Sequence, residues 1–203
     1  MNVGVINYGM GNIDSVCRAV EHIGYDVDII TRSSELEAVS HIILPGVGTY
    51  SAAMDHLNQS GLLEAIKYQV IEANKPILGI CLGMQILSDV GEEVHLTKGL
   101  GLIPGKVIKL KSSTNEEKIP HVGWNEVRHQ DDGLFSEIIS GKDFYFVHSY
   151  HFISSKPENI VATTPYCGET VTAIRSGHVY GVQFHPEKSQ KNGLKLIQNF
   201  LES

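Results

Sequence analysis

The chain has 203 residues, 42% of them hydrophobic and 19% charged, a balance that excludes disorder and fits one folded domain over 1–203. A chain of this length buries roughly 70% of its unfolded surface and needs neither disulfide nor metal to hold a core. With 16 Lys and Arg against 23 Asp and Glu the formal net charge is −7; no basic run offsets it, so nucleic acid is not an expected partner.

The opening Met1-Asn2-Val3-Gly4-Val5 lacks the basic start of a secretory signal, and no apolar run approaches the roughly 18 residues of a membrane span. Cys17, Cys81 and Cys167 form no CxxC pair, so reduced thiols in a cytoplasmic setting are expected.

In chain order, residues 3–6 read as a short apolar strand. Residues 12–23 read as a helix, with Val16, Ala19, Val20 and Ile23 at helical spacing and Gly24 ending it. Strands follow at 26–30 and 42–44, the second stopped by Pro45-Gly46. A helix over 62–73 carries the stripe Leu62, Leu63, Ile66, Val70, Ile71, and a strand at 76–80 runs into a helix over 82–90. Strands apolar on both faces and alternating with helices predict an α/β fold: an open, mostly parallel central sheet flanked by helices. Beyond residue 105 the pattern changes to strands at 106–110, 124–127, 144–147, 160–163, 171–174 and 179–184, separated by turns. These predict an antiparallel extension of the same sheet. The polar stretch 112–118 reads as an exposed loop, and a helix near 191–201 closes the chain.

The chemistry concentrates at three places. Gly79-Ile80-Cys81-Leu82-Gly83 is the thiol version of the G-x-S-x-G nucleophile elbow, a sharp strand-to-helix turn that lifts one side chain out of the sheet. Glycines on both sides remove the Cβ atoms that would collide in so tight a bend, and the following helix start favours the thiolate form. A structural cysteine between ordinary glycines is the plainer alternative. His185, in Phe184-His185-Pro186-Glu187, follows an apolar strand; two residues on, Glu187 points the same way and can take the imidazole N–H. Alone, His-x-Glu better suits a solvated His and a surface Glu; beside the elbow it supplies base and orienting carboxylate. Pro45-Gly46-Val47-Gly48 follows a strand directly, and its two glycines allow the N–H of Gly48 or Val47 to join that of Leu82 as oxyanion donors, or form a simple turn.

Weaker features surround these. Gln85, one turn after Cys81, either faces a polar substrate or sits on the helix surface. Asn7-Tyr8-Gly9-Met10-Gly11-Asn12 resembles a dinucleotide loop but has Asp14 in place of the third glycine, so no nucleotide cofactor is expected. His148 and His151 could offer two metal ligands, but no carboxylate or thiol stands nearby in sequence, and no metal is expected. Trp124, the only tryptophan, is a core anchor or an interface anchor.

The three motifs, Pro45-Gly46-Val47-Gly48, Gly79-Ile80-Cys81-Leu82-Gly83-Met84-Gln85 and His185-Pro186-Glu187, resemble those of class I, triad-type glutamine amidotransferases, over essentially the whole chain. Within that family the segments 7–12, 99–105, 120–125 and 146–150 are most similar to the glutaminase subunits that serve imidazole glycerol phosphate synthesis. The resemblance implies hydrolysis of L-glutamine to glutamate and ammonia, with Cys81, His185 and Glu187 as the catalytic triad and Gln85, Ser149 and Tyr150 holding the amino-acid end. It also implies a heterodimer with a (β/α)8-barrel cyclase that consumes the ammonia, Asn12, Trp124, Asn125 and Lys188 being candidates for that interface. A paralogue feeding ammonia to sugar amidation and a Cys hydrolase acting on another amide are the alternatives.

Overall fold

The computed structural model describes residues 2–114, 117–130 and 132–203. Residues 115 and 116 of the expected 112–118 loop lie outside the described residues.

The first half follows the hydrophobic pattern. Strand β1 (Asn2–Ile6) leads through helix α1 (Ile13–His22) to β2 (Asp26–Ile30) and β3 (His41–Gly46). Helices α2 (Tyr50–Gln59) and α3 (Leu62–Ile71) precede β4 (Ile77–Cys81), and one helical turn, α4 (Leu82–Gln85), follows it. The second half is strand-rich: β5 (Val90–Gly91), β6 (Thr97–Lys98), β7 (Gly105–Lys109), β8 (His121–His129), β9 (Lys142–His148), β10 (Tyr150–Ser154), β11 (Ile160–Pro165), β12 (Glu169–Ser176) and β13 (Val179–Val182). Helix α5 (Gln190–Leu201) closes the chain. Among the described residues no helix is long and apolar enough to cross a membrane.

Among the described residues nine strands form one mixed sheet in the order β2-β1-β3-β4-β13-β12-β11-β8-β9. Pairing is parallel through the central part, from β2 to β13, and antiparallel in the extension from β13 to β9. The antiparallel extension is present, with one correction: β7 leaves this sheet and pairs with β10 and β5 in a second, four-stranded sheet.

Alternation along the central strands feeds two cores. Val3 and Val5 of β1, Ile43 of β3 and Leu78 and Ile80 of β4 pack with α1 and α5. Ile6, Ile42, Leu44 and Ile77 face α2, α3 and the second sheet, where they meet Tyr50, Ile66, Val107 and Phe152. A strand buried on both faces has no polar side to show, which explains its continuous apolar run.

The strand order positions the chemistry. β4 lies between β3 and β13, with Gly46 opposite Cys81 and Val182 opposite Ile80. Three motifs far apart in sequence therefore emerge side by side at the carboxyl end of the parallel strands. That is where open α/β sheets collect their ligands.

Candidate active site

Cys81 ends β4 with φ 55° and ψ −110°, a left-handed backbone that a side-chain-bearing residue adopts only under constraint. The constraint is visible at the flanking glycines. A Cβ on Gly83 would stand 1.8 Å from the Leu44 carbonyl oxygen, and one on Gly79 would stand 2.6 Å from the Gly83 oxygen. The elbow closes only because both are absent. The helix after it is a correction to the expected 82–90 span: it is one turn long, and the chain then runs through Asp89 into β5. The Cys81 thiol is thus served by the free N–H groups of a tight turn more than by a long helix dipole.

Cys81 is 6% exposed. Its sulfur faces the Val147 carbonyl at 3.9 Å and the Gln183 amide nitrogen at 3.7 Å. It lines a cleft of about 380 Å³ together with Val47, Gly48, Leu82, Gln85, Ser149, Tyr150 and His185. The structure therefore brings every candidate for nucleophile, base, oxyanion donor and amino-acid contact to one cleft, with Glu187 directly behind.

His185 Nδ1 lies 2.8 Å from Glu187 Oε1. A carboxylate accepts, so Nδ1 carries the proton and Nε2 is left buried on the cleft side toward Cys81, with no partner in hydrogen-bond geometry among the described residues. Burial works against a charged ring, but the neighbouring Cys81 sulfur and the Glu187 carboxylate outweigh it and raise the His185 pKa to about 10. The turn itself is fixed from behind. The His185 N–H donates to the Tyr145 carbonyl on β9, and Ser189 Oγ donates to the His185 carbonyl at 2.6 Å while accepting from the Tyr145 N–H at 3.0 Å.

Gly48 has φ +103°, and a Cβ there would meet the Met10 side chain at 2.6 Å, so a glycine is required to turn this loop over the cleft. Tyr8, from the same loop as Met10, is buried beside the elbow; burial and the Cys81 charge push its hydroxyl above the ordinary range.

Gln85 faces the cleft rather than solvent, but its amide nitrogen is already engaged: it donates to the Tyr150 carbonyl at 2.9 Å and to Gln183 Oε1 at 3.0 Å. Ser149 is the corner at which the chain leaves β9 in one sheet for β10 in the other, and its carbonyl accepts from the Leu110 N–H.

The interface candidates divide. Trp124 is 48% exposed, so it is not a core anchor. It shares the outer face of the β8–β9 edge with Val122, Tyr145 and Val147, in contact with the Tyr145 ring and with Lys188 over that ring at 5.8 Å. Val147 also lines the cleft, so this apolar face reaches the rim. Alternation along β8 turns Asn125 to the face opposite Trp124, where its amide approaches His121. Asn12 is half-buried at the start of α1. The possible metal pair is also redrawn, since His148 bonds His121 across the sheet instead of joining His151.

Several residues at the site were missed, the cleft-lining Pro120, Val147 and His148 among them. Glu93 lines the cleft with its Oε2 accepting from the Tyr50 N–H at 2.8 Å; in sequence it reads as one acid in a polar turn, Gly91-Glu92-Glu93. Gln183 lies under Cys81, and only its place two residues before His185 could have pointed to it.

Class I glutamine amidotransferases share this chain's pattern: the family described as "Glutamine amidotransferase class-I" matches residues 4–203. The chain belongs to that family. It is 45% identical, over 98% of its length and 94% of the relative's, to the imidazole glycerol phosphate synthase subunit HisH of Moorella thermoacetica. It is 48% identical to the subunit of the same name from Methanocaldococcus jannaschii, over 98% of both chains. In fold it is similar to a chain of the structure titled PurLQS from Thermotoga maritima, with TM-score 0.76 and 20% identity over 99% of this chain and 97% of that one.

Proposed function

We propose that the chain is a single-domain glutaminase, the ammonia-producing subunit of an imidazole glycerol phosphate synthase in histidine biosynthesis, working in the cytoplasm. The observation that carries the reading is the buried series Glu187, His185, Cys81, with the sulfur on a strained elbow at the floor of a cleft.

His185 Nε2 takes the thiol proton, and Glu187 holds the ring in the tautomer that leaves this nitrogen facing sulfur. Cys81 attacks the side-chain amide carbon of glutamine. The N–H of Leu82 and that of Gly48 or Val47 receive the oxyanion, each such donor being worth roughly 100–1000-fold in rate. His185 returns the proton to the leaving nitrogen, and ammonia departs. Water, deprotonated by His185, then releases glutamate from the γ-glutamyl thioester. The Ser149-Tyr150 main chain and Gln85 receive the amino-acid end of the substrate. Glu93, at the same wall, carries the charge that suits its ammonium group.

The (β/α)8-barrel cyclase is the proposed partner, docking on the apolar face of Val122, Trp124 and Val147 beside the cleft, with Lys188 at its edge. A site that released ammonia to water would lose it as ammonium, and the exposed apolar rim is the surface that a seal requires. The test has two arms. Purified wild-type protein is assayed for glutamate release from L-glutamine against Cys81→Ala, and native partners are captured with the chain as bait. Glutamate release that disappears in the variant, together with a captured barrel cyclase, supports the reading. Equal release by the variant, or capture of a sugar-modifying synthetase, overturns its corresponding half.

A further inference from the structure

A pair of histidines, of which His148 lines the cleft, has no part in that chemistry. Antiparallel pairing of β8 and β9 places His121 directly opposite His148, both buried. His121 Nδ1 lies 3.1 Å from His148 Nε2, and His148 Nδ1 lies 2.9 Å from the Tyr150 carbonyl oxygen. At the far end the Asn125 amide nitrogen is 3.5 Å from His121 Nε2.

These contacts determine every proton in the series. A carbonyl only accepts, so His148 Nδ1–H donates to Tyr150. Its Nε2 is then the acceptor for His121 Nδ1–H, and His121 Nε2 faces the Asn125 N–H. Both rings are neutral in this arrangement. Their surroundings agree: burial depresses the pKa of His121 to about 4 and that of His148 to about 3.

The series ends on the wall of the cleft. The Tyr150 carbonyl accepts a second bond, from Gln85 Nε2, which also donates to Gln183 beneath Cys81. One carbonyl is thus held from two sides, at the corner between the sheets. Separately, the His121 ring is stacked between Phe146 and Tyr166, with centroids 4.5 and 3.8 Å away.

We propose that His121 and His148 are positioning residues for the substrate: their directed hydrogen bonds fix the Tyr150 carbonyl, which anchors the Ser149-Tyr150 main chain and the Gln85 side chain in the orientation that receives the amino-acid end of glutamine. The inference rests on the glutaminase reading and adds two residues that act through the main chain.

Two variants separate this role from packing. His121→Phe keeps the ring stack and removes the Nδ1 donor; His121→Asn removes the stack and keeps a donor at the same position. Steady-state hydrolysis of L-glutamine by the full-length chain, with any subunit that co-purifies, is the measurement. One lost hydrogen bond in the wall raises KM about tenfold in His121→Phe, while kcat stays within about twofold. His121→Asn keeps KM within about threefold of wild type. An unchanged KM in His121→Phe, or the larger KM in His121→Asn, overturns the proposal. If His121→Phe does not fold, His148→Asn, which keeps the donor to Tyr150, is compared with His148→Leu, and equal KM values overturn it. A wild-type protein that releases no glutamate refutes the glutaminase reading itself, an outcome distinct from an active enzyme indifferent to these changes.

Discussion

The Nδ1–H of His185 donates to Glu187 Oε1 across 2.8 Å, with the two side chains 2% and 1% exposed. Two groups of opposite charge held out of water depend on each other. Removing one leaves the other uncompensated. Glu187→Gln keeps the shape and a neutral acceptor but loses the carboxylate. We expect glutamine turnover to fall by about 100- to 10,000-fold, with the fold retained. Rate measurements with circular dichroism on the same sample check both halves.

The same pair, together with the Cys81 sulfur against the ring, sets an alkaline limit on stability. The His185 pKa is raised to about 10, against about 6.5 in an unfolded chain. A raised pKa means that the folded state holds the proton more tightly. The stabilisation is complete below pH 6.5 and is lost as pH rises through about 10. Urea midpoints between pH 6.5 and 10.5 should decline in the wild type and decline less in Glu187→Gln. Parallel curves would show that the pair does not couple to folding.

Gly83 tests the elbow. Its absent Cβ would lie 1.8 Å from the Leu44 carbonyl oxygen, main chain of the neighbouring strand that cannot swing aside. Gly83→Ala therefore has to part β3 from the turn carrying Cys81. A cost of at least about 1–3 kcal/mol is expected, with loss of turnover. Calorimetry reads the first and glutamate release the second; a variant with wild-type values in both would show that the elbow has slack.

What the sequence made legible follows from which forces are local. Strands buried on both faces announce themselves as apolar runs, so β1, β3 and β4 were readable, as was the glycine-flanked elbow. Helix α2 was missed although Tyr50, Ala53, Met54 and Leu57 recur on its buried side at helical spacing; the buried Ser51 and the short Ala53 dilute that stripe. Strand β10 was hidden because only Ser149 separates it from β9, with no Gly or Pro marking the change of sheet. The expected helix over 82–90 ended early because Ile86 and Leu87 reach the core without continuing it. His121 and His148 are 27 residues apart and meet only through the β8–β9 register, which no local pattern encodes.

That histidine pair sets an acid limit of opposite sign. His121 and His148 have pKa values lowered to about 4 and about 3, mainly by burial, with His151 and His185 facing the second ring. The unfolded chain takes up protons first, so this stabilisation is complete above pH 6.5 and is lost as pH falls toward 3–4. Thermal midpoints from pH 7 to 4 should fall, and His121→Phe, with one fewer group to protonate, should show the shallower slope. An identical slope would place the acid sensitivity elsewhere.

Trp124 distinguishes docking from folding. At 48% exposed, touching Tyr145 at its edge, it contributes little to the isolated chain. Trp124→Ala should move the unfolding free energy by no more than about 0.5 kcal/mol. In the proposed complex the same indole would be an anchor of the kind that carries about 2 kcal/mol or more of binding, roughly 30-fold in affinity. Titration calorimetry against the barrel subunit, beside denaturant unfolding of the free chain, separates the two effects. Weakened binding with unchanged unfolding places the partner on the Val122–Trp124–Val147 face, whereas unaltered affinity would move the docking surface away from the cleft rim.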